Sequence, residues 1–258
     1  MTSTFMAMVL LPEPLTLSFD QVAAVVGSFP AAADAVLGKH EAEQGRFAIR
    51  IGAQQFGIQA MADPIPEGSF AKALGGSDRD ALSLLVRAHR AHLVVFCKLD
   101  QGDMGDAVMA AAGVHLLAAR LGALATATAG FWVASERLAP WAEFTQYAEA
   151  MPAAYDAVGP VDFPTRYWVS ADLAQDADTA GATTLGLKHF TGYELLLSPT
   201  AWPAPSVAAR LVGTVEYLFA NGTVLEDGQT LGATDEERFA ITRETGSELM
   251  RLDLMEVV

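Results

Sequence analysis

The chain has one cysteine, Cys97, among its 258 residues. A lone thiol excludes an internal disulfide and any zinc site built from several cysteines, and it suits a reducing compartment. Within an apolar strand it reads as a small hydrophobe. Positive charge is also scarce: 16 Lys plus Arg face 31 Asp plus Glu, for a formal net charge of −15. Such a field repels nucleic acid and anionic membrane and leaves basic proteins as partners. Its plainest use is solubility. Long apolar runs are lacking too. Mean hydropathy is +0.27, yet no stretch approaches the ~20 uninterrupted apolar residues that a bilayer demands. The alanine-rich segment from Val108 to Ala129 is broken by Gly113, His115, Arg120 and Gly122. The run from Phe5 to Leu11 has no basic residue before it and stops at Pro12, Glu13 and Pro14. It lacks the basic start and length of a secretory signal, so a cytoplasmic location is the expectation.

Mechanism-bearing motifs are absent as well. The sequence holds no phosphate-cradling glycine loop ending in Lys-Ser or Lys-Thr, no G-x-G-x-x-G after a strand and no G-x-S-x-G elbow, which weighs against the common nucleotide-binding and hydrolase classes. What is present is the composition of a folded chain, 52% hydrophobic and 18% charged. Its length suits one large domain or two small ones.

Periodicity predicts a strand over 6–11, then a helix opened by Ser18 and Gln21 as a capping box, with Phe19, Val22, Ala23 and Val26 on one face. Phe47, Ile49 and Ile51, then Phe56, Ile58 and Ala60, alternate with other residues as a hairpin that Pro64 and Pro66 end. A helix over 78–87 leads into a strand over 91–99, apolar enough for burial on both faces. The order β-α-β-β-α-β predicts a ferredoxin-like unit within an α+β fold. Beyond it the pattern predicts helices over 104–121 and 140–150, with a strand over 128–134 between them. Strands follow over 166–173, 184–190 and 193–198. A helix then carries Val207, Leu211, Val215 and Leu218, capped by Ser206 and ended by Asn221-Gly222. Asp227-Gly228 marks a tight turn among short final strands. The division expected is a ferredoxin-like subdomain, 1–100, packed with a mixed α/β half, 101–258; Pro152, Gly159, Pro160 and Pro164 mark a second place, 151–164, where a boundary could fall.

Candidate chemistry is sparse. His89 and His92 straddle a helix-to-strand junction without a third ligand, so packing or capping outweighs metal binding. His115 sits on a helix stripe as a core histidine, and His189 alternates with Leu185 and Leu187 on a strand. Asp176, Asp178 and Gly181 begin like a calcium loop, but Leu187 stands where the twelfth-position acid belongs, which favours a solvated turn. Glu194 lies between Tyr193 and the run Leu195 to Leu197, where a carboxylate must face outward or find a partner; a structural role is favoured over catalysis. No catalytic, cofactor-binding or metal-ligating residue is assigned, and no cofactor is expected.

Two boxes carry a family resemblance. Thr184 with Gly186-Leu187-Lys188-His189-Phe190-Thr191-Gly192-Tyr193-Glu194-Leu195 follows the pattern T-x-G-L-x-x-F-x-G-x-E-L. The second box is Val215 to Gly222 followed by Leu225-Glu226-Asp227-Gly228-Gln229-Thr230-Leu231-Gly232. The C-terminal third thereby resembles an uncharacterised family of bacterial domains of unknown function, with weaker similarity reaching back through Phe131-Trp132 to the Ala91 to Cys97 strand. The resemblance supplies no catalytic residues. Three functions follow as expectations: a non-enzymatic acidic binding protein, such as an immunity protein facing a basic toxin; an enzyme with a non-contiguous His/carboxylate site using Glu194 and His189; or a homo-oligomeric assembly component.

Overall fold

The computed structural model describes residues 3–29, 35–41, 45–75, 78–100, 102–156, 163–234, 237–243 and 246–255. It is an α+β protein of two compact units, Met1–Pro164 and Thr165–Val258.

The first unit is built on strands β1 (Ser3–Leu11), β2 (Ala35–Glu41), β3 (Arg46–Ile51), β4 (Gln54–Met61), β5 (Ala91–Leu99), β6 (Ala129–Trp132) and β7 (Arg137–Pro140). Its helices are α1 (Phe19–Gly27), α2 (Arg79–Ala88), α3 (Met104–Ala123) and α4 (Trp141–Asp156). The strands form one sheet in the order β2-β3-β4-β5-β1-β6-β7, every neighbouring pair antiparallel. Ser18 and Gln21 make the expected capping box at the head of α1. Alternation along β5 buries Ala91, Leu93, Val95 and Cys97 and leaves His92, Val94 and Phe96 partly covered, so one face of this strand is buried fully, not both.

The α+β class stands, but the ferredoxin-like arrangement does not form. A split β-α-β unit requires a parallel neighbour for its first strand, and β1 is antiparallel to both β5 and β6. The expected boundary at residue 100 also moves. β6 and β7 extend the same sheet from β1, and α3 covers β1 and β5, so the first unit runs through Pro164. Contact is close because α3 is rich in small residues: a Cβ on Gly113 would lie 2.6 Å from the Phe56 ring. By length and composition α3 could span a bilayer, and 78% of its apolar window is buried within the fold.

The second unit carries β8 (Ser170–Gln175), β9 (Ala180–Leu185), β10 (Glu194–Thr200), β11 (Thr230–Thr234), β12 (Glu237–Arg243) and β13 (Leu249–Leu254). Its helices are the single turns α5 (Thr165–Trp168) and α6 (Lys188–Thr191) and the long α7 (Ala204–Asn221). The sheet order is β11-β12-β13-β10-β9-β8; β10 and β13 run parallel and the other pairs antiparallel. The strand expected over 166–173 begins instead with α5. The one expected over 184–190 breaks at Gly186, whose φ of 100° lies in the left-handed region, and continues as α6. Pro203, not Ser206, precedes α7, while Gly222 ends it in the left-handed conformation as expected.

Candidate functional site

The resemblance box folds into a polar clasp around Glu194. This residue opens β10 and is 8% exposed. Its Oε2 accepts from the Thr184 hydroxyl at 2.6 Å and from the Leu187 amide at 3.0 Å, while Oε1 accepts from the Gly186 amide at 2.8 Å. The Thr184 oxygen accepts in turn from the Leu195 amide at 2.8 Å. One carboxylate therefore holds the end of β9, the left-handed residue and the entry to α6. These are the groups that such a sharp strand-to-helix turn leaves without backbone partners. Each spaced position of the box has a physical task. Gly186 and Gly192 adopt positive φ, Leu187, Phe190 and Leu195 are buried, and Thr184 with Glu194 supplies the acceptors. The partner demanded by a carboxylate beside an apolar run is thus the backbone eight residues upstream.

Tyr193 and the second box complete the frame. The Tyr193 hydroxyl accepts from the Leu225 amide at 2.5 Å. Burial raises the phenol above its ordinary pKa, against the opposing pull of the Leu225 amide and of Arg243, whose guanidinium lies 6.0 Å from the ring centre. Asp227 Oδ1 accepts from the Arg243 amide at 2.8 Å, and the Gly228 and Ile241 amides each complete a 2.9 Å bond across the turn.

His189 does not join Glu194 in a dyad. It lies on the single turn of α6 rather than on a strand, and burial, reinforced by the Lys188 charge and opposed by that of Glu248, lowers its pKa. The carboxylate's three donors leave it committed to the fold. A cavity nearby, lined by Thr165, Ser170, Thr184 and Leu211 among others, has a free volume of about 10 Å³, space for one water at most.

The remaining histidines and Cys97 are in the first unit and do structural work. His89 Nε2 accepts from the Ile65 amide at 2.8 Å, which leaves Nδ1 to donate to the Val86 carbonyl. His92 Nδ1 donates to the Asp63 carbonyl at 2.7 Å. The two histidines together tie down the proline-bounded segment before the first 3-10 turn (Glu67–Phe70). Burial lowers the His92 pKa, partly offset by the Asp63 carbonyl. His115 is fully buried; burial drives its pKa down to about 3, and Nε2 donates to the Phe144 carbonyl at 3.0 Å. Burial likewise pushes the Cys97 thiol up to about 11. No cluster of three or more metal-ligating side chains occurs among the described residues. In the second unit, the Asp176 amide donates to the Thr179 carbonyl at 2.9 Å across the turn between β8 and β9. An open groove of about 790 Å³ runs between α2 and the two 3-10 turns, Glu67–Phe70 and Ala73–Gly75, bordered by Glu67, Arg79, Ser83 and Arg87. Its Glu67–Arg87 pair is 3.6 Å apart with both side chains more than half exposed, so water screens it.

No curated protein and no solved structure matches the chain. The family match that does exist begins at residue 183 and does not reach the weaker similarity near residue 90. Residues 183–251, which include both boxes and all of the Glu194 clasp, match the model of a domain of unknown function (DUF4261).

Proposed function

We propose that the chain is a non-enzymatic acidic binding protein, an immunity protein that neutralises a basic toxin passed between bacteria by contact-dependent or type VI secretion. The observation that carries this reading is the net charge of −15 on a folded chain. Dense negative charge speeds encounter with a cationic partner and favours it over neutral competitors. The commitment of Glu194 to three backbone and hydroxyl donors supports the same reading, because a carboxylate spent on the fold is a poor general base. The test is co-expression with the toxin genes encoded beside it. Restored growth, with a single stoichiometric basic partner that stays bound at moderate salt, is expected. Failure to protect against any of those toxins overturns the proposal. Light scattering on the isolated protein separates it from the assembly-component alternative, which demands a stable homo-oligomer.

A further inference from the structure

The sheet of the first unit is covered unevenly. One face, with Phe5, Val9, Leu93 and Val95, is fully buried beneath α3. On the other, α2 and the 3-10 turns cover Leu10, Phe131 and Leu138, over the β1-β6-β7 end. Among the described residues the remainder of that second face stays open. Register places Ala48, Gly57, Phe96 and Met6 in one row across β3, β4, β5 and β1, and Arg50, Gln55, Lys98 and Thr4 in the next. The first row is apolar and only partly covered, apart from Ala48, which is exposed; the second is exposed throughout. The Phe96 ring lies flat across β4, since a Cβ on Gly57 would be 2.2 Å from its Cζ. Three strands of this floor span about 10 Å, the width of one helix.

Charge on this surface opposes that of the whole molecule. β1, β3, β4 and β5 contain no Asp or Glu, although the chain has 31. Their charged residues are Arg46, Arg50 and Lys98. Glu41 stands in register with Arg46 at the β2 edge, and Lys98 meets Asp100 at 2.9 Å in a pair whose two side chains are 59% and 75% exposed. Exposed pairs of this kind are weak enough for an incoming carboxylate to displace.

We propose that this open half of the sheet face is a docking surface for an acidic amphipathic helix of a partner protein. The helix lies beside α2, its apolar stripe on Met6, Val94 and Phe96 and its carboxylates on Arg50 and Lys98. A second helix on this face would complete the layer that α2 begins. The surface is distinct from the acidic one of the proposed function, because it selects a partner of opposite charge.

The test titrates the whole chain with short synthetic helices: a leucine stripe flanked by glutamate, the same peptide with serine for leucine, and the same with lysine for glutamate. Amide shifts and fluorescence anisotropy are read at low salt. The Glu/Leu peptide should shift amides of β4 and β5 and bind roughly tenfold more tightly than its serine counterpart. The double variant Arg50→Glu/Lys98→Glu should weaken it by a similar factor without weakening the lysine peptide. Both substituted side chains are exposed, and thermal unfolding confirms that the variant is folded. No binding of the Glu/Leu peptide, shifts confined to other strands, or binding that survives the double variant overturns the proposal. Dimerisation of the unchanged chain that the double variant abolishes overturns it too, in favour of a second copy on this face. None of these outcomes depends on toxin protection.

Discussion

The two units are stabilised by different means. In the first, α3 buries fifteen of its twenty residues against a seven-stranded sheet, and the mass of apolar area removed from water is the dominant stabilising contribution. In the second, the long helix α7 buries only Val207, Leu211, Thr214, Val215 and Leu218. A smaller core leaves more to placed polar groups: the Glu194 carboxylate, the Tyr193 hydroxyl and the Asp227 side chain each satisfy backbone amides at turns. The family match falls in this unit. The box of Thr, Gly and Glu in this unit marks a fold that cannot be built from apolar pattern alone, whereas a sheet sealed by alanine, leucine and valine tolerates many sequences.

The comparison breaks most sharply if the second unit is cut at the ends of its family match. Residues 183–251 omit α5, β8 and half of β9, and with them Trp168, which is fully buried and stacks on Phe190 at 5.9 Å. A fragment of 183–251 should remain unfolded by circular dichroism and amide dispersion, whereas 165–258 should fold cooperatively; equal behaviour of the two would show that the clasp suffices without β8. Next in size is Glu194→Ala, which leaves two amides and a hydroxyl in a buried site without their acceptor. Urea unfolding of the 165–258 fragment should show a loss of about 3–5 kcal/mol. Glu194→Gln keeps one acceptor oxygen and should lose roughly 1–3 kcal/mol. A change of less than half a unit on that scale for both variants would remove the clasp from any account of stability.

Much of the first unit is legible from pattern because its elements are amphipathic by themselves: the Ser18–Gln21 box, the Phe47 to Ile58 hairpin and the alternation in β5 all announce their faces. β2 is less so, since Gly38, Lys39 and His40 dilute its apolar signal at a sheet edge. The place of α3 was hidden for another reason. Its pattern says only that it is buried, and the pairing of β6 with β1, with more than a hundred residues between them, is non-local. Around 184–190, alternation of Leu185, Leu187 and His189 imitates a strand. The turn there is imposed by a carboxylate that arrives from residue 194, and period-two pattern carries no trace of it. The requirement that Glu194 must find a partner was readable; the identity of the partner depended on the turn that it creates.

Acid should separate the units in the order opposite to the truncation. His115 has a folded pKa of about 3 against 6.5 for the unperturbed side chain, because burial disfavours its charged form. The unfolded chain therefore takes up a proton that the folded one refuses. The contribution is fully present above pH 6.5 and declines as pH falls below it, by about 2 kcal/mol at pH 5. Thermal unfolding followed by the near-ultraviolet signal of the first unit should show this slope between pH 7 and pH 5, and His115→Gln, which retains a donor for the Phe144 carbonyl, should flatten it. A slope unchanged in that variant would place the titrating group elsewhere.

The smallest effect expected is that of Tyr193→Phe. The ring remains to fill its buried site and only the hydroxyl is lost, but the Leu225 amide that donates to it at 2.5 Å is then left buried without that acceptor. One neutral hydrogen bond removed in this way costs about 1–2 kcal/mol, less than the clasp because the phenol oxygen serves a single amide. Hydrogen exchange at Leu225 should quicken in the variant while exchange at Gly186 and Leu187 holds, since those amides answer to Glu194. If all three amides quickened together, the Tyr193 contact and the carboxylate clasp would form one cooperative network, and the stability of the second unit would rest on their coupling rather than on two separable attachments.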